Sequence, residues 1–427
     1  MAIELFDRPL NRWWTVLAGA LGCAAGAGVV SSYVFGVFIK SISAEFHWER
    51  SYTTLGITSF FVASGIGSIT LGSIMTKWGV RGPTLVFSIL FGASLAAVPL
   101  LPQSVFLFCC LMAAAGFFGA SATAMPYAIA ISGWFNGNRG LALAISNSGT
   151  ALSGVFMPSY ANWLMERYGW RGGYVGVGVF VAIVSTLGLL LFFRSPPNST
   201  TSARQAPSLV QIARGSREFW LIALAILMIS MALLGLITNM VSILSDRGMK
   251  MSDAAKLLGL IGGSSWVSRI GLGAILDRIH VRFVAAAVFF MIGVGATLIA
   301  LGVTGGYLAV ALVIIGLGVG AEADLLTYAV SRYFDAQSLS RALGGVWIFW
   351  AWGSGIGVSL GSLSYDLTKS YQIALIAFLV LAFGAALTIL GLGRYRFGPE
   401  ELAAQPEVRT GAQAEQGTML IRKSAQV

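Results

Sequence analysis

The chain has 427 residues, 56% of them hydrophobic and only 10% charged, with a mean hydropathy of +0.80 and a formal net charge of +10. Soluble domains carry about 25% charged residues, so this composition excludes an ordinary water-exposed globule and implies a lipid-facing surface. The positive charge alone would fit a nucleic-acid partner, but its distribution follows membrane topology, and no nucleic-acid role is expected.

In chain order, the opening MAIELFDRPLNR carries acids, and no small-residue cleavage site follows the first apolar run, which is too long for a signal h-region. A bilayer core takes about 20 apolar residues per helix. Runs of that kind predict spans at 13–39, 53–76, 83–101, 104–132, 140–163 and 173–193. A polar stretch, 194–218, separates them from a second set at 219–245, 255–276, 283–303, 306–330, 342–365 and 371–393. The tail from Gly398 is polar and reads as disordered. The expected fold is an all-α membrane protein with twelve transmembrane helices in two pseudo-symmetric six-helix bundles. Its units are residues 1–193, a loop at 194–218, residues 219–397 and a tail at 398–427.

Lys and Arg set the orientation. With both termini inside, the inner segments hold 18 of the 27 and the outer segments and outer span ends 8; the remaining one, Arg269, lies deep within a span. That bias is the positive-inside pattern. Cys23, Cys109 and Cys110 fall in apolar runs without disulfide or metal spacing and read as packing residues. His47 and His280 fall in loops. No metal or other cofactor is expected, and no HExxH or paired His/Asp constellation within the spans points to an enzyme.

The halves echo each other. GSIMTKWGVR at 72–81 matches GAILDRIHVR at 273–282, and SGWFNGNRG at 132–140 parallels SRYFDAQSLSR at 331–341, at offsets of 201 and 199. Parallel repeats of six spans build many secondary transporters, whose substrate site lies between the halves near mid-membrane. The first of these motifs resembles the loop signature G-x-x-x-D-R-x-G-R-[RK] of the major facilitator superfamily. The second copy keeps Asp277, Arg278 and Arg282, whereas the first has Thr76 for the acid and retains Lys77, Gly79 and Arg81. The resemblance implies a conformational switch made by Gly72, Lys77, Arg81, Arg139, Asp277, Arg278 and Arg282. Charges that only set topology are the alternative reading.

Two longer stretches narrow the resemblance. WFNGNRGLALAISNSGTALSG at 134–154 and GLGVGAEADLLTYAVSRYF at 316–334 resemble the fifth-span signature and tenth span of the monocarboxylate porter and oxalate–formate exchanger branch. SDRGMKMSDAA at 245–255 resembles an outer loop of the same branch. The fifth span lacks the paired glycines after proline that mark many drug–proton antiporters.

Charges at membrane depth cost about 2.5–3.5 kcal/mol each on insertion scales and are functional candidates by default. Arg269 lies eight residues before Asp277, roughly 12 Å deep. Asp324 lies eight residues before Arg332 on a parallel span, at the same expected depth, with Glu322 slightly further out. The two acids point about 200° apart on a helix. Asp324 shares its face with Tyr328 and Ser331, Glu322 with Gly318. Arg269 matches the eighth-span arginine that binds the substrate carboxylate in the resembling family, and guanidinium grips a carboxylate through two parallel hydrogen bonds. A structural ion pair is the competing reading. Animal lactate carriers place an aspartate one turn before this arginine; here Ser265 stands there, which leaves Asp324, Glu322 or Asp246 for proton coupling. The exchanger's second cation, in the eleventh span, is replaced by Trp350 or its neighbours, so one carboxylate per substrate is expected. Tyr33 matches a site tyrosine of the exchanger. Tyr127, Asn147, Asn239, Tyr328 and Trp350 are further lining candidates, with ordinary helix packing as the alternative for each.

The expected function is secondary transport of a small monocarboxylate by alternating access with proton symport. Anion exchange and a non-transporting carboxylate sensor are the alternatives. The expected partners are a small organic anion, protons and the lipid bilayer, for a monomer in a bacterial inner membrane with both termini cytoplasmic.

Overall fold

The computed structural model describes residues 12–100, 103–135, 139–194, 209–276, 279–334 and 339–395. Its elements are helical throughout, as apolar runs in lipid must be, because a helix satisfies its own backbone polar groups. The first half contains α1 (Trp13–Ala24), α2 (Ala27–Val29), α3 (Phe35–Phe46), α4 (Arg50–Trp78), α5 (Arg81–Ala97), α6 (Val105–Gly119), α7 (Ala124–Trp134) and α8 (Arg139–Leu191). A short α9 (Leu209–Gly215) leads into the second half: α10 (Arg217–Asp246), α11 (Met251–Leu276), α12 (Val281–Ala300), α13 (Gly305–Tyr333), α14 (Leu339–Thr368) and α15 (Gln372–Leu390).

Among the described residues, ten stretches are long and apolar enough to cross a membrane. One of them, α8, folds back at Gly169, whose φ of 70° and ψ of 175° end one arm and start the next. Only glycine adopts that geometry without strain. Counting both arms, and adding the 26-residue α11, gives the twelve expected crossings. Large apolar side chains such as Ile69, Phe106, Val380 and Leu387 stay exposed around the outside, where lipid replaces water.

Two crossings differ from the unbroken spans expected at 13–39 and 104–132. The first breaks at Gly26, passes through a π-helical turn at Val30–Val34, and runs on to Phe46. The fourth breaks through a 3₁₀ turn at Ala120–Ala122 and an extended Thr123. The breaks meet: a Cβ on Gly26 would lie 2.6 Å from the Cys23 carbonyl oxygen and 2.7 Å from that of Ala122. Apolar periodicity does not register them, because both flanks are apolar in sequence. In the stretch expected as a plain loop, 194–218, α9 forms, and the Trp220 indole fastens it by donating to the Ala213 carbonyl at 2.8 Å.

Trp13 packs on Phe135, and Tyr395 accepts a hydrogen bond from the Val281 backbone, so the described chain begins and ends at one end of the bundle. That is the termini end; the opposite end, where α3 turns into α4 and α10 into α11, is the gate end. The halves touch through α4 with α14, α8 with α11, and α3 with α10.

Candidate functional site

Small residues set the depth and direction of the central charges. Gly320 of α13 lies so close to α11 that an added Cβ would sit 2.1 Å from the Ser265 carbonyl oxygen. One turn further along these parallel helices, Arg269 and Asp324 face each other. Arg269 Nη1 is 3.5 Å from Asp324 Oδ2, with side-chain exposures of 12% and 35%. This is the outer limit of a hydrogen bond, so the pair is loose. Arg269 Nε is buried and has no partner. Guanidinium has five donors, and one weak contact leaves most of them for a guest. Ser265 is buried and donates to the Gly262 carbonyl, outside the charge cluster.

The cation faces the other half. A second glycine contact, Gly154 of α8 against Gly262 of α11, brings the halves together backbone to backbone; a Cβ on Gly262 would be 2.5 Å from the Gly154 carbonyl carbon. The Tyr33 ring, in the π-helical turn, lies against Gly154. Arg269 is near enough for its charge to act on Tyr33 and on Cys23, the latter read from sequence as packing alone. π-helical turns are frequent at functional sites. Here one places a phenol between the halves.

Glu322 takes the other face of α13. It is 4% exposed, and its Oε1 accepts from the Trp350 indole at 3.1 Å. Trp350 packs edge-on against Trp347 and, across the halves, against Phe61 of α4, with ring centroids 5.0 and 5.8 Å apart. The site therefore consists of two clusters on opposite faces of α13: Arg269 and Asp324 toward α11, near Tyr33, and Glu322 with Trp350 toward α14. Phe61 joins them without a sequence signal, since one phenylalanine in an apolar span looks like any other.

The remaining lining candidates stand apart. Asn239 is buried between α10 and α14, donating to the Gly235 and Val358 carbonyls and accepting from Ser362. Tyr127 is buried in the first half over Gly22, with its hydroxyl unpartnered. Tyr328 donates to the Leu276 carbonyl and accepts from Arg332 at the termini end. Asn147 is half-buried on α8, beside the Ser146 that packs on Gly19.

Residues 21–358 match the family described as Major Facilitator Superfamily. The chain belongs to the major facilitator superfamily. It is 25% identical to the Monocarboxylate transporter 4 of Gallus gallus, over 95% of this chain and 87% of that one. It is 24% identical to the uncharacterized MFS-type transporter YcxA of Bacillus subtilis, over 66% of this chain and 70% of that one. Among solved structures, a bacterial homolog of the human lysosomal transporter Spinster, inward-facing and occupied, overlays with a TM-score of 0.69 at 14% identity, covering 90% of this chain and 97% of that one. A D-xylose–proton symporter overlays at 0.67 and 14%, covering 90% and 98%. The chain is thus an integral membrane transporter near the monocarboxylate branch of the superfamily.

The repeat of this facilitator carries matching bonds at its termini end. Arg81 donates to the Leu190 carbonyl at 3.0 Å, and Arg282 to the Leu392 carbonyl at 3.0 Å. Each guanidinium thus caps the C-terminal end of the last helix of its own half, where the helix dipole favours a cation. Trp134 likewise donates to the Arg194 carbonyl, and Tyr333 to that of Gly393. Gly72 faces Met125 within the first half. Asp277 and Arg278 lie outside the described residues, as do the side chains of Lys77 and Arg139. Between these bonds, His280 stacks on Tyr395 at 3.9 Å, and burial, with Arg282 nearby, holds its imidazole below the usual value.

The gate end breaks the symmetry. Glu45 and Asp246 are repeat-related, 201 residues apart, as are Trp170 and Tyr371. Glu45 stays within its half, accepting from Trp170 and Arg171. Asp246 instead recruits the first half: it pairs with Lys40, and with Arg50 at 2.5 Å. Arg50 also donates to the Tyr371 hydroxyl at 2.8 Å and lies 3.5 Å over the Tyr365 ring. Asp366 of α14 accepts from the backbone N–H groups of Arg50 and Ser51, at 3.1 and 2.6 Å, capping α4 from the opposite half. In sequence, Lys40, Arg50 and Asp366 look like ordinary loop and helix-end charges.

Proposed function

We propose that this facilitator moves a small monocarboxylate by alternating access together with a proton. The observation that carries the reading is the loose Arg269–Asp324 pair, half-buried toward the facing half and rich in unused donors. A substrate carboxylate approaching from the opened side takes the guanidinium in a bidentate grip, which a 3.5 Å contact cannot match. Asp324, released from the cation, takes up a proton, with Glu322 as the second carboxylate within reach of the same charge. Tyr33 supplies a hydroxyl to the anion, and Trp350 an apolar wall. Moving one net charge against a membrane potential costs about 2.3 kcal/mol per 100 mV, so a monoanion accompanied by H⁺ crosses without that cost. The neighbouring monocarboxylate transporters support the substrate class.

The positive-inside count supports placing the termini end in the cytoplasm, with the Lys40–Arg50–Asp246–Asp366 latch closing the outer side. The compact connections fit a bacterial inner membrane. Proteoliposomes under an imposed pH gradient test the reading with labelled lactate and pyruvate. Accumulation that collapses with the gradient and is lost in Arg269→Ala is the expected result. Uptake that requires internal anion and ignores pH would mean exchange. Binding without uptake would mean a sensor. Undiminished uptake by folded Arg269→Ala would refute the carboxylate site.

A further inference from the structure

A cavity of about 700 Å³ lies at the termini end between α9, the start of α10 and α14, well away from Arg269. Arg214 and Arg217 form its rim, and Phe219, Trp220, Ile348 and Phe349 its apolar floor. Both arginines are exposed, and among the described residues neither has a carboxylate within ion-pair distance. Their spacing is fixed by two local bonds. The Trp220 indole holds α9 at the Ala213 carbonyl, and Ser216 Oγ accepts from the Phe219 N–H to start α10. Glu218, the adjacent acid, is bonded by the Ser216 hydroxyl at 3.1 Å.

The level of the cavity is informative. Arg217 is the first residue of the apolar 30-residue α10, so the rim sits where head groups begin and the floor where acyl chains begin. Trp220, three residues into α10, is 52% exposed and packs on Phe349. Exposed tryptophans at the ends of spans mark the membrane interface. Two guanidinium forks over an apolar floor match a phosphate ester carrying a hydrocarbon tail. The inter-half segment 195–208 offers no matching charge: it contains one arginine and no Asp or Glu.

We infer that this cavity binds the head group of an anionic phospholipid, with Arg214 and Arg217 on the phosphate and the first acyl carbons against Phe219, Ile348 and Phe349. The site stands independently of the proposed substrate.

The full-length protein in neutral detergent is titrated with phosphatidylglycerol, phosphatidylcholine or inorganic phosphate, and followed by native mass spectrometry and thermal unfolding. Phosphatidylglycerol is expected to be retained and to raise Tm above the phosphatidylcholine value. The double variant Arg214→Gln/Arg217→Gln is expected to bind it roughly 10- to 30-fold more weakly, with Tm in detergent alone unchanged. A fall in that Tm is met by Arg214→Lys/Arg217→Lys, which keeps the charges and should restore binding. Equal retention of the two lipids, or binding that survives the double Gln variant, would overturn the inference. Stabilisation by inorganic phosphate alone to the same degree would reassign the site to a free anion. Dimers abolished by the double Gln variant would reassign it to a second copy of the chain.

Discussion

Arg269 makes one contact at the edge of hydrogen-bond range and keeps a buried Nε without a partner. A side chain held this way in a dry setting is costly unless a better acceptor arrives. Lysine preserves the charge but not the fork. Arg269→Lys is therefore expected to raise KM for the carboxylate about 10- to 100-fold, the loss of a charge-assisted bond, as measured by initial uptake rates in proteoliposomes. Asp324→Asn keeps the shape and removes the titratable group. Accumulation driven by a pH gradient should vanish while counterflow between equal substrate pools persists. Loss of both together would instead make Asp324 a purely structural partner of Arg269. Glu322 and Asp324, two residues apart, do different things because a helix turns them toward different neighbours, α14 and α11.

Among the elements, glycines decide which helices approach. Gly320 against Ser265 and Gly154 against Gly262 remove side chains where backbones must nearly touch. A methyl group at 320 would meet backbone, which cannot yield as a flexible side chain can. Gly320→Ala is expected to part α11 from α13, to destabilise the protein by about 1–3 kcal/mol, and to weaken substrate affinity by moving Arg269 relative to Tyr33 on the facing half. Thermal unfolding and binding on the same purified sample check both effects; an unchanged Tm would mean that the two helices are not in tight contact there. The break at Gly26 and the π-helical turn after it work differently: they bend the first crossing so that Tyr33 reaches the interface between halves.

For the whole molecule, the gate end is a latch with donors on one half and acceptors on the other. Lys40, Arg50 and the start of α4 donate, and Asp246 and Asp366 accept. Opening this end must break the set together. Exposed pairs contribute at most about 1 kcal/mol each, which is roughly a fivefold change in the ratio of closed to open forms. The variant Asp246→Asn/Asp366→Asn is expected to enrich the form open at the gate end by that order or more. Spin labels at Tyr52→Cys and Leu367→Cys, with the three native cysteines replaced, read the change as a longer distance population. An unaltered distribution would deny the latch its role. The sequence by itself determined the membrane class, the crossings and the repeat, because apolar run length and paired motifs are local quantities that lipid reads directly. It also set Arg269 and Asp324 at one depth, since helical rise is constant along parallel spans. Only the tertiary structure decided that Glu322 turns to Trp350, that Asn239 is sealed in a helix seam, and that Asp246 is held by the opposite half while its counterpart Glu45 is not. Those outcomes depend on which faces of distant helices meet, and the period of one helix says nothing about its neighbour.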